Sequence, residues 1–319
     1  MPLRCTLVSM DENWDCIVVG GGAAGLSAAL VLGRARRRTL VIDAGRQSNA
    51  VAHGIGGLLG HDGRPPTELY ELGRGELAAY PTVEVRDGEV VAGEADDGRF
   101  ILQLADGRTE TAKRVLLAGG MDYRRPDVAG AEERWGRSVF HCPFCHGWEV
   151  RERALGVLDP GPMGAMRALM LTMWSDDVTL YTDGPAALEP ADAHRLHAAG
   201  IPVVEHAVAG LRGPGDDLEA IDLADGTSRP LGGLLLPVTL HQRSPLAAQL
   251  GAEAAPPSPI AADALVLDAQ SMTSVPGLFA AGDLGASMPS VANAIAAGSN
   301  AAAGVVHSLI ADRHPLPAD

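Results

Sequence analysis

Residues 15–45 read DCIVVGGGAAGLSAALVLGRARRRTLVIDAG, and the fold is decided there. An apolar strand over residues 16–19 runs into Gly20-Gly21-Gly22-Ala23-Ala24-Gly25, then into a helix rich in Ala and Leu. A second apolar strand, residues 39–42, ends at Asp43. In such a turn the first glycine, Gly20, permits the tight bend. The second, Gly22, lets a pyrophosphate approach the backbone, and the third, Gly25, lets helix and sheet lie close together. The phosphates then meet the free N–H groups and positive dipole end of the helix, beside Ala23 and Ala24. Asp43, 18 residues beyond Gly25, is placed to accept from ribose hydroxyls. A glycine-rich turn with a purely structural role would not require that acid. The strand, helix, strand and terminal acid together predict a dinucleotide site. Alternation along the strand makes Cys16 a small buried sheet residue.

Two distant stretches say which dinucleotide. TSVPGLFAAGDLG, residues 273–285, resembles the second FAD motif of the flavoprotein disulfide reductases, and RVLLAGGMDYRRPDVAG, residues 114–130, resembles the strand and glycine turn by which those proteins leave the FAD domain. With the first motif they span most of the chain and identify it as similar to the low-molecular-weight thioredoxin reductases. That resemblance implies an α/β protein of two Rossmann-like domains. An FAD domain, residues 1–120 and 242–319, is interrupted by a smaller nucleotide-binding-like domain, residues 121–241, that carries a Cys-x-x-Cys. It also implies that Gly282 and Asp283 serve the ribityl and phosphate region, and that Gln47 and Asn49 contact flavin or phosphate. His53 and His61 fall in the same loop as Asn49, where a flavin role and a surface role stay open. The reductases carry an Arg-Gln pair before the C-terminal helix; Val291 and Ala292 stand there instead.

HCPFCHGWEV, residues 141–150, supplies the second chemistry. A closed zinc site needs four ligands, and no second Cys-x-x-Cys exists to complete one; no metal site is expected. A permanent structural disulfide across two residues would constrain little chain. A redox dithiol suits the pattern best: at a helix start one sulfur gains a lowered pKa, and Pro143 shapes the turn. Cys142 and Cys145 are therefore the candidate redox pair. The resemblance implies that Cys145 faces the flavin and holds the thiolate beside it, with Cys142 exchanging with substrate. Where the reductases place an acid after the second cysteine, this chain has His146, which titrates near neutrality and can take a proton from an incoming thiol. A capping role for His146, and a role for His141, stay open.

The electron partner is read from ALGVLDPGPMGAMRALMLTMWSDDVTLYTDG, residues 154–184. Strand, turn, helix and strand are legible, so a second Rossmann unit is expected. Its nicotinamide chemistry is degraded. Asp159 stands at the first glycine position, Pro160 and Pro162 remove donors, and no Lys or Arg lies between Arg167 and Arg195 to hold a 2′-phosphate. Asp183 leaves an NAD ribose contact open. A flavin, a Cys-x-x-Cys-His and a lost nucleotide motif resemble the dithiol oxidases of natural-product biosynthesis, those that close the disulfides of gliotoxin, holomycin and romidepsin. The implied function is oxidation of a small-molecule dithiol through Cys142–Cys145 to FAD, with O2 as acceptor and H2O2 as product. Two alternatives remain: a thioredoxin-reducing enzyme fed by NADH or ferredoxin, and a flavin-bearing redox sensor.

Composition sets the outer bounds. The chain has 319 residues, 46% hydrophobic and 20% charged, enough for roughly two domains with full cores. The net charge of -15 argues against nucleic acid and anionic membrane as partners. No apolar run in the sequence is read as a spanning helix, and the first residues turn acidic too early for a signal peptide. A soluble cytoplasmic protein is expected, and four cysteines, Cys5, Cys16, Cys142 and Cys145, do not form a disulfide framework in that compartment. A homodimer follows from the family resemblance.

Overall fold

In the computed structural model the described residues are 14–186, 188–285 and 288–314; Cys5 and the N-terminal stretch read for a signal peptide lie outside them. The strand Trp14–Val19 (β1), the helix Ala23–Arg34 (α1) and the strand Thr39–Asp43 (β2) form where the sequence pattern puts them. β1 lies parallel between β2 and the long strand Thr109–Leu117. That long strand is shared. Its first half pairs antiparallel with Arg99–Leu104, its second half parallel with Leu278–Ala280, so the distant second motif enters the same sheet. Cys16, Ile17 and Val18 are fully buried in β1, and burial pushes the Cys16 thiol far above its ordinary range, which leaves it inert.

The chain divides into two units. One comprises residues 1–47, 70–122 and 241–319; the other comprises 48–69 and 123–240. The second unit holds a five-stranded parallel sheet in which Leu155–Leu158 is central, flanked by Val178–Tyr181 and Gly233–Leu235, with Val139–Phe140 at one edge. A three-stranded antiparallel meander accompanies it. Both units carry the strand, turn, helix, strand unit of a parallel α/β sheet, as the sequence predicts. The expected boundaries need one correction, because residues 48–69 group with the central unit rather than with the FAD unit. The tie is physical: Arg137 Nε donates to the Val51 carbonyl at 3.2 Å, and His53 Nε2 lies 3.0 Å from Asp216.

The C-terminal helix Val291–Arg313 begins at Ser290, whose Oγ accepts from the Asn293 N–H. Val291 and Ala292 form its first turn. By length and composition this helix could cross a membrane, which corrects the reading that no apolar run is long enough. Its small residues explain it otherwise. A Cβ on Gly298 would sit 2.0 Å from the Ala24 carbonyl oxygen of α1, and one on Gly304 would sit 2.3 Å from the Gln270 carbonyl. Ser27 Oγ donates to the Ile295 carbonyl at 2.7 Å. Such backbone approach is how a small-residue helix is built into a domain core.

This packing generates a paired prediction. Gly298→Ala should destabilise the protein toward the upper end of the ~1–3 kcal/mol typical of overpacking, because the obstructing atom is backbone. Gly75→Ala, on a helix with nothing within 4 Å of the new Cβ, should leave stability unchanged or raise it by at most ~1 kcal/mol. Urea unfolding of the two variants checks both signs.

Candidate flavin cradle and dithiol site

The turn between β1 and α1 is built as the glycine pattern requires. Gly20 has φ +112, in the region that favours glycine, and a Cβ there would lie 2.3 Å from the Ala118 carbonyl oxygen. A Cβ on Gly25 would lie 1.8 Å from the Gly20 carbonyl oxygen, so helix and turn touch backbone to backbone. Gly22 is the N-cap of α1, with no side-chain cap and no acid in the first turn. A Cβ at Gly22 would meet only Gln47, Cγ at 3.7 Å. Ala23 and Ala24 open the helix. The chain thus supplies uncapped helix donors facing open space, the arrangement an anionic phosphate fills. Gly282, with φ +72, brings the second motif against Ala24, and Asp283 follows it in a short 3₁₀ turn.

Asp43 closes the cradle. It is buried at the end of β2, and its carboxylate accepts from the Gly45 N–H at 3.1 Å and from Gln47 Nε2 at 3.1 Å. Arg74, on the helix Pro66–Leu77, also binds it at 2.5 Å and reaches Asp87 at 2.9 Å. Sequence reasoning missed Arg74. It lies 31 residues from Asp43 in a helix whose pattern signals nothing about a carboxylate. Gln47 is fixed to Asp43, whereas Asn49 belongs to the other unit.

In the second unit the edge strand Val139–Phe140 delivers the dithiol. Cys142 is the N-cap of the short helix Pro143–His146, with Pro143 at its first position. Cys145 Sγ lies 2.9 Å from Cys142 Sγ and donates its S–H to it. That hydrogen bond pulls the Cys142 thiol below its usual range; burial opposes it, and the Cys145 and Phe144 backbone N–H groups assist. The same bond, followed by burial, holds the Cys145 proton in place. In the reduced pair by itself these shifts favour the thiolate on Cys142, whereas the resemblance puts it on Cys145 beside the flavin.

His146 stacks on Phe140 at 5.9 Å, and neither ring nitrogen has a partner at hydrogen-bonding geometry. Burial lowers its pKa, against the raising effect of the Glu149 charge and of the nearby Gly136 and Cys142 backbone. Burial thus favours the neutral imidazole, in which one ring nitrogen carries the proton and the other can receive one. His141 lies between Tyr123, 4.9 Å away, and Trp135, 5.8 Å away. Burial, with His146 adding, pushes it down to about 4. His61 Nδ1 accepts from Arg64 Nε at 2.9 Å, and His53 pairs with Asp216. Both are occupied within the loop segment and its unit.

The nucleotide turn of the second unit is filled from within. Asp159, buried after Leu155–Leu158, accepts from the Gly161 N–H at 2.8 Å and is ion-paired with Arg167 of the following helix. Arg167 balances the Asp159 charge, and the carboxylate takes the backbone N–H that follows it in the turn. Asp183, with φ +53, accepts from the Val208 N–H at 2.7 Å. The carboxylate that the sequence offers to an NAD ribose also holds backbone.

Residues 14–298 match the pyridine nucleotide-disulphide oxidoreductase family, and the chain belongs to it. It is 33% identical to thioredoxin reductase tcpT of Claviceps purpurea, over 96% of this chain and 97% of that one. The solved oxidoreductase from Agrobacterium tumefaciens superposes with a TM-score of 0.88 at 36% identity, covering 93% of this chain and 99% of its own. The structure of HlmI gives 0.88 and 36%, over 95% and 94%. The protein is accordingly a flavoprotein disulfide oxidoreductase of the thioredoxin reductase type, and its cofactor is FAD, which the uncapped α1 turn and Asp43 fit.

Two outcomes test these sites. Gly22→Asp should strip FAD from the purified protein, because a charged side chain would stand where the phosphates bind; full visible flavin absorbance in the variant would remove the assignment. In the reduced protein, Cys142 should alkylate with a pH midpoint below that of an ordinary cysteine. Cys145→Ala should raise that midpoint, since the S–H donor to the thiolate is gone. Mass-resolved alkylation across pH reads both.

Proposed function

We propose that the protein is an FAD-dependent dithiol oxidase that forms a disulfide in a small-molecule dithiol, with Cys142–Cys145 as the exchanging pair and O2 as final acceptor, giving H2O2. The observation that carries this reading is the second Rossmann turn. There Asp159, ion-paired with Arg167, takes the Gly161 N–H, and Asp183 takes the Val208 N–H. On this reading the pyridine-nucleotide place of the family is lost here, and the electrons come from the thiol side.

The thiol chemistry follows from the dithiol geometry. In the oxidised pair, a substrate thiolate attacks Cys142 Sγ, the Cys142–Cys145 bond breaks, and Cys145 leaves as thiolate. The second substrate thiol attacks the substrate sulfur of the mixed disulfide, and Cys142 leaves. The substrate has lost two electrons and two protons, and the pair has gained the electrons. His146, neutral and unpartnered, takes the proton of the incoming thiol. Bound FAD would supply a two-electron acceptor for the reduced pair with O2 as the final acceptor, and Cys145 is the sulfur that the resemblance sets beside it. Phe144, between the two cysteines in sequence, is 64% exposed and offers an apolar contact to an organic substrate. On this reading the enzyme serves natural-product biosynthesis as a cytoplasmic homodimer, a reading the family resemblance supports.

Under anaerobic conditions a small dithiol should bleach the flavin fully, and air should restore it with release of peroxide. NADPH and NADH should each reduce it very slowly or not at all. Rapid bleaching by either nucleotide at micromolar concentration would overturn the oxidase reading and favour a reductase. His146→Ala should slow bleaching by the dithiol by roughly 10²-fold or more at neutral pH. The loss should shrink above about pH 8.5, where thiols ionise unaided. An unchanged rate at neutral pH would assign His146 to packing on Phe140.

A further inference from the structure

We infer that Gly56 is a positioning residue for the redox pair, holding the backbone of Cys145 where its S–H can reach Cys142. A Cβ on Gly56 would lie 2.5 Å from the Cys145 carbonyl oxygen and 3.1 and 3.2 Å from its carbonyl carbon and Cα. These are backbone atoms, which cannot swing aside as a side chain can. Gly56 is not among the residues with positive φ, so its conformation does not call for glycine. The close approach to Cys145 does.

The segment that presents Gly56 is closed on itself. The Ile55 N–H donates to the Arg64 carbonyl at 2.9 Å, and the Gly63 N–H donates back to the Ile55 carbonyl at 2.9 Å. Inside that closure the Gly57 N–H donates to Asp62 Oδ1 at 2.8 Å, and the His61 N–H to the Leu58 carbonyl at 2.8 Å. Arg64 Nε braces His61. The tip projects into solvent, and Leu59 is 98% exposed.

The same segment grips the dithiol from its upstream side. Arg137, five residues before Cys142, donates to the Val51 carbonyl at 3.2 Å and to Asp216 at 2.9 Å, and Asp216 also holds His53 at 3.0 Å. At Gly136, φ +76, a Cβ would lie 2.7 Å from Val51 Cγ2. Residues 51–56 therefore touch the Cys-x-x-Cys segment on both sides, at Gly136–Arg137 and at Cys145. The helix between is a single turn, too short to fix its own sulfurs. Its geometry is set from outside, and the thiolate preference of Cys142 depends on it, because the Cys145 S–H bond is the largest stabiliser of that thiolate.

The inference rests on Cys142–Cys145 being the working dithiol, and the test separates the two. In the reduced flavoprotein, Gly56→Ala should raise the pH midpoint of Cys142 alkylation by roughly half a unit or more. Below both midpoints that is about a threefold or larger loss of thiolate. Leu59→Ala, on the exposed tip of the same loop, should leave the midpoint at the wild-type value. If Gly56→Ala does not fold, Asp62→Ala carries the test. It removes the acceptor that braces Gly57 without adding an atom, and should shift the midpoint in the same direction. A wild-type midpoint in folded Gly56→Ala, or in Asp62→Ala where that variant carries the test, would overturn the positioning role, as would an equal shift in Leu59→Ala. Failure of the underlying reading looks different: the Cys142→Ser/Cys145→Ser double variant would still turn over small dithiols.

Discussion

The structure depends on backbone meeting backbone without a side chain between. α1 can lie on the turn that precedes it because Gly25 presents no Cβ to the Gly20 carbonyl, and the C-terminal helix can lie on α1 because Gly298 presents none to Ala24. These two contacts set the depth at which the end of α1 sits behind the turn, and so where its free N–H groups point. A cofactor phosphate can use the dipole and donors of a helix only if the helix end is brought within hydrogen-bonding range. Close approach is therefore the condition for binding as well as for packing. Gly56 uses the same device against Cys145, where the consequence is chemical instead of architectural.

The two Rossmann units place the acids of their turns differently. In the first, Gly22 leaves the helix end uncapped and facing open space, and the nearby acid, Asp43, is turned toward Gly45, Gln47 and Arg74. In the second, Asp159 sits in the turn itself and takes the Gly161 N–H and the Arg167 guanidinium. An internal carboxylate has a large advantage over a soluble ligand, because it loses no translational freedom on binding. The fold of the second unit survives since its sheet and helix packing need no nucleotide, and strands Leu155–Leu158 and Val178–Tyr181 remain fully buried.

The dithiol divides labour between chemically identical side chains. Cys142 caps a helix and accepts the Cys145 S–H, while Cys145 donates and stays protonated. Two thiols at this distance cannot both ionise easily, so the pair behaves as one titrating unit. A neutral imidazole with unsatisfied nitrogens beside it is costly as structure. His146 is tolerable in a fold that uses it for proton traffic, and its neutrality comes from burial rather than from any partner.

Local sequence determined the parts that local physics governs. The alternation of apolar strand, glycine turn and small-residue helix fixed the first Rossmann unit and Asp43. The Cys-x-x-Cys with Pro143 fixed a short helix with Cys142 at its N-cap, and the distant Gly282–Asp283 motif announced its return to the first sheet. Tertiary structure decided the rest, because each remaining feature joins residues whose partners leave no periodic trace. Arg74 reaches Asp43 from another helix, and Arg167 turns back onto Asp159. Residues 48–69 group with the central unit rather than with the residues before them in sequence, drawn by Arg137, Asp216 and the backbone of Cys145. Composition along the chain encodes which residues prefer to be buried or to bend. It does not encode which carboxylate an arginine will meet, or which glycine must be bare because a second backbone passes within 3 Å, and those contacts exist only once the chain has closed.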